Sequence, residues 1–400
     1  MPHDFPLKRP VLAPREIPHT VSPGLWTLAW RRLKTDYVGM VSLALVAVFV
    51  VMMILSGFGF VARDWSKEVG INYAVPSFIG ADVEGGTPAA PAGPATSPTP
   101  ASEYKSSIVD PIGDVIARLK AEETRARQPA EPAAEEKSVD PLADVMADIR
   151  AGKGKAEPVV VEERRATLPF GGDKWGRDVL KKTIKGSETS IFVGIAAAIV
   201  ATFLGTFFGA LAGYYGRWVD DMFNWFYSVF SSIPYLLLIL AVAAVLQQKG
   251  VLTIILILGL TGWMGTFRLL RAEYLKHKAR EYVQAADALG ASNARRMFIH
   301  IFPNVSHVVL VQMSILVVAF IKSEVILSFL GFGVPVDVVS WGSMLNEAQN
   351  ELILGKWWQL VAAGTAMAIL VTAFSLFTDA LRDALDPKLK GRMVKTRVVQ

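Results

Sequence analysis

The sequence has 400 residues, of which 52% are hydrophobic and only 19% are charged. Because the apolar residues are clustered into long runs, this composition is typical of a membrane protein and argues against one large soluble core. The net charge of +5 comes without the basic and aromatic stripe of a single-strand-binding protein, so nucleic acid is not expected as a partner.

The residue inventory excludes several kinds of chemistry. The chain has no cysteine, which rules out disulfides and Cys-based metal sites, and its five histidines lack paired ligand spacing. No phosphate-binding G-x-x-x-x-G-K-[ST] loop is present, and no nucleophile and base pair is apparent. We therefore expect no metal, no cofactor and no enzymatic activity, with any ATP hydrolysis taking place on another chain.

Six apolar stretches are long enough to cross about 30 Å of hydrocarbon, which takes roughly 20 helical residues each. Together they predict an all-α integral membrane protein with six transmembrane helices, and Pro234 is expected to kink the third. The predicted spans are 38–58, 190–213, 225–246, 251–267, 305–321 and 358–377.

The spans divide the chain into five parts. These are an N-terminal segment (1–37), a first transmembrane helix (38–61), a long insertion (62–189), a five-helix core (190–380) and a C-terminal tail (381–400). The first span follows a long polar leader and lacks an obvious small-x-small cleavage site, so we expect an uncleaved anchor.

The distribution of Lys and Arg orients the spans. Basic residues are concentrated in the N-terminal segment, at 268–296 and at 382–397, whereas the two short loops of the opposite side hold only Lys249 and Lys356. The positive-inside rule therefore predicts that both termini are cytoplasmic and that the insertion is periplasmic. Three basic residues before the second span conflict locally with this orientation: Lys181, Lys182 and Lys185.

The insertion contains a Pro, Ala, Ser and Thr-rich stretch at 85–101, which is typical of a disordered linker. An internal repeat follows, VDPIGDVIARLKA at 109–121 and VDPLADVMADIRA at 139–151. Each copy begins with Asp-Pro, which suits a helix start, and carries one apolar face. Such short helices are barely stable alone, so we expect them either to pack on each other or the membrane-facing surface, or to help receive a solute-binding protein.

The most informative segment is the polar, basic stretch at 272–303, between the fourth and fifth spans. Residues 280–289 are helix formers, and the small side chains of Ala285 and Ala286 are expected to share a face that another surface can approach closely. This pattern predicts a docking surface.

The second half of that segment predicts a sharp turn and a second helix. Gly290 suits the left-handed position that ends a helix, and Ser292 suits the N-cap of a short helix running to about residue 300. Pro303 is expected to end that second helix.

The spacing of this segment resembles the EAA loop of the permeases of bacterial binding-protein-dependent ABC importers. In that family the loop is the coupling helix that sits in a groove of the ATPase subunit. Gln284 stands where the family usually has Glu, and Glu281 lies one turn away. The resemblance implies that the ATPase-coupling residues are Glu281, Gln284, Ala285, Ala286, Gly290 and Pro303.

Three further segments narrow the resemblance to the second permease subunit of dipeptide and oligopeptide importers. They are LSFLGFGVP at 327–335, SWGSML at 340–345 and LRDALDP at 381–387. The resemblance implies a homologous second permease, two ABC ATPase subunits, a periplasmic solute-binding protein and a peptide substrate as partners. It places the chain in the lipid bilayer of the bacterial inner membrane.

An ionisable pair lies near the end of the fifth span. Lys322 and Glu324 are two residues apart, so on a helix they point to different sides. Glu324, which the family pattern matches, is expected either to stabilise the LSFLGFG turn or to contact the solute. The candidates for a translocation pathway or gate are Glu324, Ser328, Gly331, Gly333 and Trp341.

The sequence thus predicts the permease subunit of an ATP-driven importer of di- or oligopeptides or peptide-like solutes. A secondary transporter or channel is the first alternative, but such proteins usually carry charged or unwound mid-span segments, and the spans here lack ionisable residues apart from Lys322 and Glu324. A permease of the same family for nickel, a sugar or another solute is the second alternative, which composition does not separate from the peptide importer.

Overall fold

The structure, a computed structural model, describes residues 25–80 and 164–386, together with the isolated helical positions 118 and 121. The linker predicted at 85–101, the repeat at 139–151 and nearly all of the repeat at 109–121 lie outside the described residues. Most of the N-terminal segment and of the C-terminal tail lies outside them as well.

Helices make up most of the described part, and one small sheet accompanies them there. The helices are α1 (Leu25–Thr35), α2 (Tyr37–Gly57), α3 (Val179–Tyr215), α4 (Arg217–Ser231), α5 (Tyr235–Leu246), α6 (Val251–Thr261), α7 (Met264–Lys278), α8 (Glu281–Ala288), α9 (Asn293–Arg295), a π-helix (Arg296–Ile301), α10 (Phe302–Phe329), α11 (Trp341–Ile353) and α12 (Trp358–Leu385). The strands are β1 (Gly70–Pro76) and β2 (Arg165–Leu168), which pair in parallel.

Four helical segments in the described part are each long and apolar enough to cross a membrane: α2, α3, α12 and the continuous stretch Asn293–Phe329. Two bent pairs meet the same test together, α4 with α5 and α6 with α7. The structure therefore confirms the all-α membrane fold, and it contains the predicted six spans when each bent pair is counted as one.

The third and fourth spans differ from the straight helices that hydropathy predicts. The helices α4 and α5 meet at 85° rather than forming one kinked helix over 225–246. Pro234 is the N-cap of α5, where its ring and missing N–H prevent the preceding helix from continuing. The fourth span extends past 267 to Lys278 and bends by 41° between α6 and α7.

The second span begins earlier than predicted. The helix α3 starts at Val179 rather than at residue 190, because the Asp178 side chain accepts hydrogen bonds from Leu180 N at 2.8 Å and Lys181 N at 3.4 Å and so caps it. The strands β1 and β2 lie on either side of residues 81–163. Both flanks of the predicted 62–189 insertion therefore belong to the packed structure.

A stripe of small residues on α3 sets the close packing of α3 against α7. Gly205, Gly209 and Gly213 recur every fourth position and face the α7 backbone. A Cβ atom on Gly205 would lie 2.6 Å from the Trp263 carbonyl oxygen, and one on Gly213 would lie 2.5 Å from the Arg271 carbonyl oxygen. Only glycine fits at this contact, which fixes α7, and with it the segment at 272–303, relative to the core.

The N-terminal segment contributes a helix that hydropathy does not reveal. The helix α1 buries Ala29 and Leu33 against the C-terminal end of α12, and the Arg32 guanidinium donates a hydrogen bond to the Asp386 carbonyl oxygen at 3.1 Å. These contacts attach the segment before the first span to the last span of the core.

Candidate functional site

The segment at 272–303 folds into a compact element at one end of the helices. Its first helix, α8, ends at a turn in which Gly290 has a φ of +77°. The Gly290 N–H donates to the Asp287 carbonyl oxygen at 2.8 Å and the Ala291 N–H to the Ala286 carbonyl oxygen at 3.0 Å. Ser292 then accepts a hydrogen bond from Arg295 N at 3.3 Å as the N-cap of α9. Gly290 and Ser292 therefore have the local roles that the sequence predicts.

Pro303 does not end the second helix, contrary to the prediction. The chain runs from α9 through the π-helix directly into α10, and Pro303 lies in the first turn of α10. A proline is tolerated in a first turn, where its missing N–H has no intrahelical partner to lose. The turn at Gly290 is consequently joined to the fifth span by one continuous helix of 37 residues, Asn293–Phe329.

The inner face of α8 is anchored by apolar packing. Val283 and Ala286 are buried, and Val283 packs in one cluster with Tyr274, Met297 and Ile301. The neighbouring residue Ala285 is exposed. The expectation that the two alanines share an approachable face is therefore wrong, because consecutive helical positions point about 100° apart.

Polar contacts fix the same element to the end of α3. The Tyr214 hydroxyl donates to Asn293 Oδ1 at 3.0 Å, and Lys278 Nζ donates to the Tyr214 carbonyl oxygen at 2.6 Å. Arg296 forms an ion pair with Asp287 across the turn. These bonds join α3, α7, α8 and α9, so we expect the element to move as one unit.

The outer face of the element is open. Glu281, Gln284 and Ala285 are exposed on α8, and Leu289, which follows them, is 88% exposed. Among the described residues, the Gln284 side chain donates a hydrogen bond to the Ala279 carbonyl oxygen alone, at 3.4 Å. A protruding leucine on a rigid polar element suits insertion into a partner's groove, and sequence reasoning did not single out this residue.

A fully buried carboxylate lies toward the opposite end of the same continuous helix. Glu324 is 0% exposed, and its two carboxylate oxygens accept hydrogen bonds from the hydroxyls of Ser190 and Ser328, each at 2.7 Å. Ser328 Oγ in turn accepts from Val334 N at 3.4 Å, in the turn after α10. Glu324 thus connects α3, α10 and the LSFLGFG turn, and it has no surface from which to contact a solute in this conformation.

The LSFLGFG turn itself relies on two glycines. Gly331 has a φ of +86°, and the following Phe332 N–H donates to the Leu327 carbonyl oxygen at 2.9 Å, which ends α10. A Cβ atom on Gly333 would overlap the Ser328 side chain. Trp341, the first residue of α11, is 0% exposed. The assignment of these residues to a pathway or gate stays a prediction.

A buried ionic network, which sequence reasoning missed, holds this end together. Lys182 Nζ lies 2.8 Å from Asp173 Oδ2 and 2.5 Å from Glu347 Oε2. Gln359 Nε2 donates to the same Glu347 oxygen at 3.1 Å. The network connects the segment before α3 with α11 and α12, which are distant in sequence.

The three lysines that conflict with the positive-inside rule are all paired. Besides the two pairs of Lys182, Lys181 Nζ lies 2.7 Å from Asp64 Oδ2 and Lys185 Nζ lies 2.7 Å from Glu188 Oε2. Because each ammonium group has a carboxylate partner, these lysines add little net positive charge at this end of α3.

Glu351 lies beside the network on α11 and is 2% exposed. Within the part of the chain that the structure describes, neither of its carboxylate oxygens has a hydrogen-bond partner of good geometry. Burial raises the pKa of Glu351 to about 7, an effect that the Lys182 ammonium opposes and that the Asp173 and Glu347 carboxylates strengthen.

Comparison with known families gives two matches for this chain. Residues 205–391 match the family described as binding-protein-dependent transport system inner membrane component. Residues 24–64 match the N-terminal TM domain of oligopeptide transport permease C. The two matches cover the first span and most of the core, including the element at 272–303.

Several curated relatives are similar over about half of the chain. The dipeptide transport system permease protein DppC of Bacillus subtilis is 38% identical over 221 residues, which cover 55% of this chain and 69% of that protein. The oligopeptide transport system permease protein OppC of the same organism is also 38% identical, over 55% of this chain and 72% of that protein. OppC of Haemophilus influenzae is 34% identical, with 55% and 70% covered.

Proposed function

The chain belongs to the family of inner-membrane components of binding-protein-dependent transport systems, and on that premise we propose that it is the permease subunit of an ATP-driven ABC importer for di- or oligopeptides or peptide-like solutes. The peptide class is supported by relatives named for dipeptide and oligopeptide transport. The observation that carries the coupling role is the rigid element around α8, which presents Leu289 outward and is continuous with a membrane-spanning helix.

In this proposal ATP is hydrolysed by partner subunits and the permease transmits their movement. When the ATPase dimer closes, α8 moves with it, and the hydrogen bonds of Tyr214 and Lys278 carry α3 and α7 along. The 37-residue helix Asn293–Phe329 is about 55 Å long at 1.5 Å per residue, so a tilt at the α8 end displaces the Glu324 end as well. The pathway opens toward the opposite side as a result.

The same proposal assigns orientation and partners. The family places the chain in the inner membrane as a multi-pass protein, and we infer that the α8 end and both termini are cytoplasmic and that residues 62–189 are periplasmic. A homologous second permease, two ATPase subunits and a periplasmic solute-binding protein would complete the importer.

Purification of the tagged chain from its native membrane tests the assembly. We expect an ATPase with a phosphate-binding loop and a homologous permease to co-purify, and the reconstituted complex to import peptide in an ATP-dependent manner. A stable homo-oligomer that transports a solute in liposomes without an ATPase would contradict the proposal and favour a secondary transporter.

A matched pair of glycine substitutions tests the coupling role. Gly290 and Gly355 both have a φ of +77°, and both would place a Cβ atom in open space, but they lie at the α8 end and at the end of α11 respectively. Both Gly290→Val and Gly355→Val therefore introduce a similar backbone strain of about 1–3 kcal/mol. We expect Gly290→Val to abolish ATP-driven uptake while the protein stays in the membrane, and Gly355→Val to retain uptake. Equal uptake by both variants would contradict the coupling role.

A further inference from the structure

A cavity of about 320 Å³ lies between α10 and α12 and has a charged lining. Lys322 contributes from α10, and Ser375, Asp379 and Arg382 contribute from α12, alongside aliphatic side chains. The Thr378 hydroxyl, also in the lining, donates to the Phe374 carbonyl oxygen of its own helix at 2.8 Å. A cavity with cationic and anionic groups between two membrane-spanning helices differs from the apolar grooves expected to hold lipid chains.

Lys322 is the unusual member of this lining. It lies on the membrane-spanning helix α10, seven positions before Phe329, which corresponds to about 10 Å along the axis. Its side chain is exposed, and among the described residues no carboxylate lies within ion-pair distance of its ammonium group. The neighbouring Glu324 is turned away and satisfied by two serine hydroxyls.

An unpaired ammonium group on a membrane span is costly unless it meets an anion or water. Lipid chains offer neither, so the face that carries Lys322 is expected to be covered by an aqueous pathway rather than by hydrocarbon. Among the described residues, the carboxylate in this lining does not serve as that anion, since Asp379 lies 3.9 Å from Arg382 instead.

We propose that Lys322 is a contact point for the transported solute and that its ammonium group binds the C-terminal carboxylate of a peptide in this cavity. The inference rests on the proposed function, because it takes the cavity to be part of the pathway. The lining also offers a partner for the peptide's ammonium group, because the Asp379 carboxylate on α12 is held, among the described residues, only by an exposed 3.9 Å pair with Arg382. The lining positions span seven residues on each helix, or about 10 Å, which matches an extended peptide of about three residues.

The absence of cysteine from the chain allows a direct test of the charge. In the reconstituted importer, Lys322→Cys is expected to lower ATP-driven uptake of trialanine about tenfold, which corresponds to about 1.4 kcal/mol. A cationic thiol reagent, 2-aminoethyl methanethiosulfonate, should then restore uptake, whereas the anionic 2-sulfonatoethyl reagent should not. Trialanine should also slow the labelling of the new cysteine. The cysteine-free parent chain in the same complex controls for thiols on the partner subunits.

The outcomes that would overturn this inference differ from the outcome that would overturn the proposed function. Wild-type uptake by Lys322→Cys, or equal effects of the two reagents, would overturn the role of Lys322 while leaving the importer intact. A Lys322→Cys chain that fails to assemble while Lys322→Arg assembles would place Lys322 in the contact with the second permease and overturn the inference too. A wild-type complex that imports no peptide would contradict the proposed function itself.

Discussion

The two ends of the helix Asn293–Phe329 differ in whether their polar side chains are exposed or buried. At the α8 end, polar and apolar side chains are left exposed on an element whose inner face is anchored, and Leu289 is 88% exposed. At the Glu324 end, carboxylates, hydroxyls and an ammonium group are buried and bonded to one another across three or more segments. The first arrangement leaves a surface open for a partner, and the second holds segments that are distant in sequence against one another.

The largest effect on stability is expected from breaking the buried network. Lys182→Ala leaves the Asp173 and Glu347 carboxylates without their cation, and removing one partner of a buried ion pair costs about 3–5 kcal/mol. Lys181→Ala is the matched control, because its pair with Asp64 is partly exposed and is worth about 0–1 kcal/mol. Thermal unfolding of the purified chain measures both. Equal losses of stability would contradict the distinction between the buried and exposed pairs.

Titration of Glu351 is expected to change the free energy of unfolding with pH, by somewhat less than the loss expected from Lys182→Ala. Its pKa is raised from 4.5 to about 7, so the folded protein holds this proton more tightly than the unfolded chain does. The stability contribution is therefore lost as pH rises from 4.5 through 7. The shift of about 2.5 pKa units corresponds to about 3 kcal/mol.

Glu351→Gln removes the titrating group and serves as the test. The free energy of unfolding, measured between pH 5 and 8, should fall for the wild type relative to Glu351→Gln over this range. Parallel profiles for the two proteins would mean that burial does not shift the pKa of Glu351 as described.

The smallest effect on stability is expected at the exposed end. Leu289→Asp should change stability by no more than about 0.5 kcal/mol, because the side chain is 88% exposed. It should nevertheless reduce co-purification of the ATPase and ATP-driven uptake, since a charge would replace the apolar side chain that we propose to insert into the groove of the ATPase. Val336→Asp, at a residue that is 97% exposed in the turn after α10, is the control and should retain the ATPase. Retention by both variants would remove Leu289 from the docking surface.

Local sequence signals predicted the parts that depend on local physics. The apolar runs predicted the six spans. The turn at Gly290 was predicted because glycine adopts the left-handed conformation easily, and the cap at Ser292 because a serine hydroxyl can accept a hydrogen bond from the start of a helix. The prediction that Pro303 ends a helix was wrong. The sequence does not distinguish a proline in the first turn of a helix from one that ends a helix, because the difference lies in the surrounding hydrogen bonds.

Residues far apart in sequence decided the rest. Lys182 and its partner Glu347 are 165 positions apart, so the sequence around one residue does not predict the other. In the sequence, the same lysine only conflicts with the positive-inside rule. The exposure of Lys322 and the burial of Glu324 likewise depend on the packing of α3 and α12 around α10.

The sequence by itself therefore determined that the chain spans a membrane, that it has six apolar spans and that it turns at Gly290, because hydropathy, capping and glycine conformation act over a few residues. The tertiary structure alone decided which charges are paired, which face of α8 is open and that Lys322 has no carboxylate partner among the described residues. Those outcomes depend on distances between segments, and a single sequence carries no measure of such distances.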